Sequence, residues 1–156
     1  MIRSTTLAAI AAIAVLLACN KSEGTAKASL PPIPVRPAAA QGSLVLVGTL
    51  QALPGALPAN DLYKYAYVMK YTVDTVVEGV FEGKEILVGQ YDPRTPRAAI
   101  ADDQKGLVGG NVAGFQEGDR HYLVLRPLDS AWTGAIEDGY IRETTPRWWA
   151  SWTDRI

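Results

Sequence analysis

Between residues 63 and 77 the chain alternates in a way that few folds accommodate. The odd positions are Tyr63, Tyr65, Tyr67, Met69, Tyr71, Val73, Thr75 and Val77, while the even positions include Lys64, Lys70, Thr72 and Asp74. A period of two residues places successive side chains on opposite faces of a strand, so this segment predicts a β-strand with one buried face. About fifteen residues is long for a strand in a small domain, and such a strand must bend, coil or carry a bulge. A long bent strand cannot lie in a flat sheet, and it points to a closed barrel.

Other segments agree. Leu44 to Leu50 is β-rich with Gly48 as a bend, Glu85 to Tyr91 reads as a strand closed off by Asp92-Pro93, and His121 to Arg126 reads as a third. A weaker strand is expected over Ala135 to Arg142, and a short helix around Ala98 to Asp103. Leu53 to Asp61 is a loop, broken by two prolines and a glycine. At the end of the chain Thr145-Pro146 resembles a helix cap and first turn. Trp148, Trp152 and Ile156 follow at a spacing of four, which predicts a short C-terminal helix. The fold class expected is therefore all-β: a five- or six-stranded barrel over residues 43–156 with a short C-terminal helix, roughly one domain's length of chain.

What precedes the barrel has a different composition. Leu7 to Ala18 is an unbroken apolar run of twelve residues after Arg3. That is too short for a permanent membrane helix, which needs about 20, and it fits the removable core of an export signal. The run ends in Leu16-Leu17-Ala18-Cys19, which resembles the lipobox of bacterial lipoproteins. The resemblance implies cleavage before Cys19, a diacylglyceride on its thiol and an acylated new amino terminus, palmitate being the usual kind of chain. It also implies attachment to a membrane of the cell envelope. Asn20, where an aspartate would signal inner-membrane retention, favours the outer membrane facing the periplasm. Cys19 is the only cysteine, so no intramolecular disulfide competes for it.

Residues 19–42 then read as a tether. Pro31-Pro32-Ile33-Pro34-Val35-Arg36-Pro37 favours extended polyproline conformation and leads into Ala38-Ala39-Ala40. The organisation expected is signal 1–18, lipidated tether 19–42 and barrel 43–156. Without Arg3 the mature chain carries 14 basic and 16 acidic residues, a net charge of −2. That balance gives no electrostatic case for nucleic acid.

Three stretches of the barrel are together similar to the OB-fold barrels of the netrin module and of the tissue inhibitors of metalloproteinases. They are Tyr71-Thr72-Val73-Asp74-Thr75-Val76-Val77-Glu78-Gly79, then Ile86-Leu87-Val88-Gly89, then Phe115-Gln116-Glu117-Gly118-Asp119-Arg120-His121-Tyr122-Leu123-Val124-Leu125. The resemblance implies an OB-like topology. Those inhibitors chelate zinc through an amino-terminal cysteine and are stapled by disulfides. Here the one cysteine is expected to carry lipid, so no inhibitory residue transfers, and fold does not imply function.

Candidate chemistry is sparse. His121 is the sole histidine, with no serine–histidine–acid or cysteine–histidine pattern around it, and it reads as a core-edge residue. Asp102-Asp103 and Glu137-Asp138 lack calcium-loop spacing and read as turn carboxylates. Gly106 to Asn111 lacks the lysine and hydroxyl of a phosphate loop, leaving a loop or bulged edge strand. No catalytic residue, metal or cofactor is expected. Tyr63, Tyr65, Tyr67 and Tyr71 either fill the barrel or form an aromatic strip for a sugar or protein partner. Trp148, Trp149 and Trp152 either close the barrel or sit at a membrane interface. The expected function is a non-enzymatic accessory module binding an envelope protein or polysaccharide. The alternatives are a subunit or enzyme of envelope polysaccharide modification, and a tethered inhibitor of an envelope hydrolase.

Overall fold

A computed structural model describes residues 38, 43–54, 65–100 and 107–156. The signal, Cys19, the proline-rich tether, most of the loop after Leu53, Tyr63 and Asp102-Asp103 lie outside the described residues. No helix among the described residues is long and apolar enough to cross a membrane.

The fold is an all-β, OB-like barrel lying within the unit from Ile33 to Ile156. Its strands are β1 (Leu44–Ala52), β2 (Ala66–Glu78), β3 (Glu85–Tyr91), β4 (Gly109–Gly110), β5 (Arg120–Pro127), β6 (Ile136–Glu137) and β7 (Arg147–Arg155). β1, β2, β3, β7 and β5 close into a five-stranded ring, with β1 pairing both β2 and β5. All ring pairs are antiparallel except β3 with β7, which run parallel. β4 adds to β7 and β6 adds to the start of β2.

The bend demanded by the long strand is present. Pairing of β1 with β2 slips at three places, between Val45/Leu46, Val47/Gly48 and Leu50/Ala52. Each slip adds local twist and lets β2 reach around the ring. Inside, Leu46, Leu50, Met69, Tyr71, Ile86 and Leu123 pack with almost no exposure. Each large apolar side chain buried this way contributes about 1.5–3 kcal/mol relative to exposure.

The C-terminal segment differs from expectation. Arg147–Arg155 is the closing strand β7, and the short α-helix among the described residues is α1 (Leu128–Ala131), nearly twenty residues earlier. A spacing of four is a multiple of two, so Trp148 and Trp152 fit either period. A slip beside Ala150, where Leu125 pairs Ala150 and Val124 pairs Trp152, then hides the strand alternation. One weaker expectation shrinks, since β6 is only two residues of the stretch from Ala135; of the helix expected over Ala98 to Asp103, the described part holds a 3-10 turn at Arg97–Ala99, and residues 101–103 lie outside the described residues.

A second apolar cluster lies outside the ring. Trp149 faces away from the barrel interior yet has no exposure, because Trp132 stacks on it at 4.7 Å and 10°. Tyr91, Ile100, Val108 and Leu128 complete the cover. The Trp149 indole N–H donates to the Leu107 carbonyl at 3.0 Å, which settles its one polar atom. The glycine-rich stretch serves this cover. Gly110 has φ +125°, and a Cβ there would drive into the Thr153 carbonyl. Replacing Gly110 with alanine is expected to cost about 3 kcal/mol through backbone strain and overlap. Gly114→Ala, whose Cβ would meet nothing within 4 Å, should cost roughly 1 kcal/mol or less. Urea unfolding midpoints of the two variants measure the contrast.

Candidate functional site

The chemistry-bearing side chains converge inside one end of the barrel. Tyr71 on β2, Gln90 on β3, His121 on β5 and Thr153 on β7 all project inward with no exposure. Arg97 joins them from the 3-10 turn. The sharp turn after β3, with Asp92 at φ +30° and the Thr95 hydroxyl donating to Asp92 Oδ2 at 2.6 Å, brings the chain back. The Arg97 guanidinium is then 4 % exposed, donating to the Tyr91 carbonyl at 2.7 Å and to Gln90 Oε1 at 3.2 Å. Phe115 lies over it at 5.0 Å and meets His121 edge-on at 5.3 Å.

These bonds have a direction. Gln90 Oε1 accepts from Arg97 and from the Thr153 hydroxyl at 3.2 Å, which fixes the orientation of the amide. Its nitrogen therefore donates to the Tyr71 oxygen at 3.4 Å. The single Tyr71 hydroxyl proton is left for His121 Nδ1 at 3.1 Å. With Nδ1 accepting that proton, His121 is neutral and carries its own proton on Nε2, the tautomer that gives the Tyr71 hydroxyl an acceptor. Burial agrees, pushing its pKa down to about 4 against the pull of Asp119. Burial likewise lowers Arg97 to about 10 and raises Tyr71 well above the ordinary phenol range.

Two donors at this end lack a partner among the described residues, Arg97 Nε and His121 Nε2. Asp119 Oδ2 is 4.0 Å from His121 Nε2, beyond hydrogen-bond reach. The Asp119 carboxylate instead holds Arg155 at 2.7 Å and the Gln116 N–H at 3.1 Å, pinning the loop before β5. The assembly is a bonded plug with no exposed nucleophile or base. Among the described residues no three of histidine, cysteine, aspartate and glutamate gather as metal ligands.

The structure separates the aromatic candidates. Tyr71 and Tyr67 are buried and share the inward face with Met69, so they offer no surface to a partner. Tyr65 is half-buried against Tyr67, with ring centroids 6.2 Å apart. Trp149 is fully covered, Trp148 packs on the barrel core, and Trp152 lies on Gly109. The tryptophans therefore build the barrel wall and its cover instead of a helical face. Glu137 is exposed on β6, and Asp138 is tied to Arg147.

Arg147 organises the outer surface. Its Nε donates to Asp138 Oδ2 at 3.0 Å, Nη1 to the Glu143 and Thr145 carbonyls at 2.6 Å each, and Nη2 to the Tyr140 carbonyl at 2.5 Å. Lys70 adds a 2.7 Å ion pair to Glu143 and sits over the Tyr140 ring. The loop from Asp138 to Pro146 is thus wound around one guanidinium, and it holds out Ile141, 79 % exposed. Beside it is a groove of about 460 Å³ floored by Pro127, Leu128, Ile136 and Pro146.

A scan of protein-family models and searches of curated proteins and of solved structures give no match to this chain.

Sequence reasoning missed Gln90, Arg97 and Thr153. Gln90 alone left a signal, a polar side chain at an inward position of an otherwise apolar strand. The neutral state of His121 has a measurable consequence. The unfolded chain protonates this imidazole near pH 6.5 and the folded barrel only near 4. Below pH 6.5 the unfolded state thus binds more protons, and stability falls as pH drops towards 4, by up to about 3 kcal/mol. Urea unfolding of the wild type and of His121→Gln between pH 7 and 4.5 should show the steeper decline only in the wild type. Equal slopes would mean that His121 is not held neutral.

Proposed function

We propose that the chain is a lipid-anchored protein of the bacterial cell envelope whose barrel binds a protein or polysaccharide partner without catalysing a reaction on it. The observation that carries the binding reading is the Arg147-wound loop with Ile141 at its tip. Five charge-assisted contacts from two cations order a surface loop that carries the apolar side chain of Ile141 at 79 % exposure. Preordering of this kind removes the entropy a partner would otherwise have to withdraw from the loop. The sealed interior supports the non-enzymatic side, since its one histidine is committed to Tyr71. The anchor rests on the lipobox-like Leu16-Leu17-Ala18-Cys19. Two acyl chains would give stable attachment where one gives only marginal binding. A palmitate-type label, the outer membrane and a periplasmic orientation belong to this same proposal.

The test is in-cell crosslinking of the tagged full-length protein, with fatty-acid labelling and membrane fractionation. Cys19→Ala should lose the label and leave the lipid-anchored fraction. Ile141→Glu should keep the label and unfold within about 0.5 kcal/mol of wild type, as expected for a surface change. It should nevertheless lose a defined crosslinked partner. A crosslink pattern identical in wild type and Ile141→Glu would overturn binding through this loop. A label retained in Cys19→Ala would overturn the anchor.

A further inference from the structure

The groove beside α1 lies close to where the tether joins the barrel. Leu44 pairs with Leu125, two residues before Pro127 on the groove's edge. One strand spacing and two residues along a strand amount to about 8 Å. The proline-rich residues Ile33 to Pro37 lie six to ten positions before Ser43. At about 3 Å per extended residue they reach about 20–30 Å from that point, enough to lie along the groove.

The chemistry of groove and segment is complementary. The floor is apolar and carries two prolines and Leu128, with Ile136 still 41 % exposed. Its walls are fixed, because Asp138 and Arg147 are bound to each other at 3.0 Å. Asp129 stands exposed on the rim, and no cation among the described residues pairs with it. The segment offers Ile33 and Val35 between prolines, followed by the cation of Arg36. An extended proline-rich stretch loses little conformational entropy on docking into such a groove.

We propose that the groove is a docking site for the chain's own segment Ile33–Pro37, with Ile33 and Val35 on the apolar floor and Arg36 beside Asp129. Docking takes these residues out of the free tether and sets how far the barrel stands from whatever holds its amino-terminal end. The proposal is independent of lipidation and of any partner.

Photo-crosslinking in the full chain, with Cys19 unchanged, tests it. Benzoylphenylalanine is placed at Ile136 in the groove or, as a control, at Val80, which is 84 % exposed on the β2–β3 turn. Gly79, next to Val80, abuts Ser43, so proximity alone favours the control. Docking predicts roughly tenfold more adduct to peptides containing residues 33–37 from position 136 than from position 80, the local concentration being raised by binding. Asp129→Lys should lower the yield from 136 about two- to fivefold, as for one exposed ion pair. Equal or greater yield from Val80 would overturn the proposal. So would adducts from 136 that join two copies of the chain, or that join a different protein in place of the tether.

Discussion

Trp149 is the residue on which the architecture turns. β7 must close the ring between β3 and β5, and a strand in that position has one face inside the barrel and one outside. Here both faces are large and apolar: Trp148 packs on the inner core and Trp149 points outward. An outward tryptophan of this size cannot be left in water without forfeiting several kcal/mol of burial. The segments between the strands answer that requirement. Residues 107–110 bring a carbonyl acceptor and β4, and the connection from β5 to β7 contributes Leu128 and the stacked Trp132. Ile100 and Tyr91 close the remaining side. A connection that needed only a tight hairpin between two antiparallel neighbours is instead spent on covering the flank. The groove and the Arg147 loop are by-products of the same detour.

Inside, the problem is different. A five-stranded ring is narrow, and its far end is filled with polar side chains from β2, β3, β5 and β7. Polar groups in such a place destabilise unless bonded, and a guanidinium most of all. The Arg97–Gln90–Tyr71–His121 chain meets this in large part by pairing donors with acceptors along it, with Arg97 Nε and His121 Nε2 left without a partner among the described residues. That pairing is why a histidine fits where a charged one would not. A proton on Nδ1 would turn the Tyr71 hydroxyl away and leave its hydrogen without an acceptor. The same packing leaves the sole histidine of the sequence with no exposure and its Nδ1 against the Tyr71 hydroxyl.

Much of the barrel could be read from residue order alone. Leu44 to Leu50, Glu85 to Tyr91 and His121 to Arg126 have β-rich composition bounded by turn residues, and the length of the tyrosine strand required the slips found between β1 and β2. The closing strand could not be read so easily. A spacing of four suits a helix turn and a strand face alike, and with both faces of β7 apolar there was no alternation to break the tie. The polar plug was less legible still. Arg97 follows a proline in a turn, Thr153 lies near the chain's end, and nothing local couples them to Gln90. Their association is set by which strands neighbour one another, and the spacing of four in β7 suggests a helix instead of the strand that brings Thr153 to Gln90.

The division between inside and outside bears on where recognition can occur. Tyrosines and tryptophans are common at binding surfaces, and this sequence has seven and four of them. Yet Tyr67, Tyr71, Tyr91 and Trp149 are consumed by core and cover, and the large apolar side chains most exposed among the described residues are aliphatic, Ile141 on its loop and Ile136 in the groove among them. Aliphatic and proline-lined surfaces lack the hydrogen-bonding rings that suit sugar planes, and they suit extended peptide better. The rigid wall supplied by Arg147 matters to this preference. One edge of the groove is a loop with four of its backbone and side-chain acceptors bound to a single guanidinium, so an extended segment would meet a wall that is already ordered.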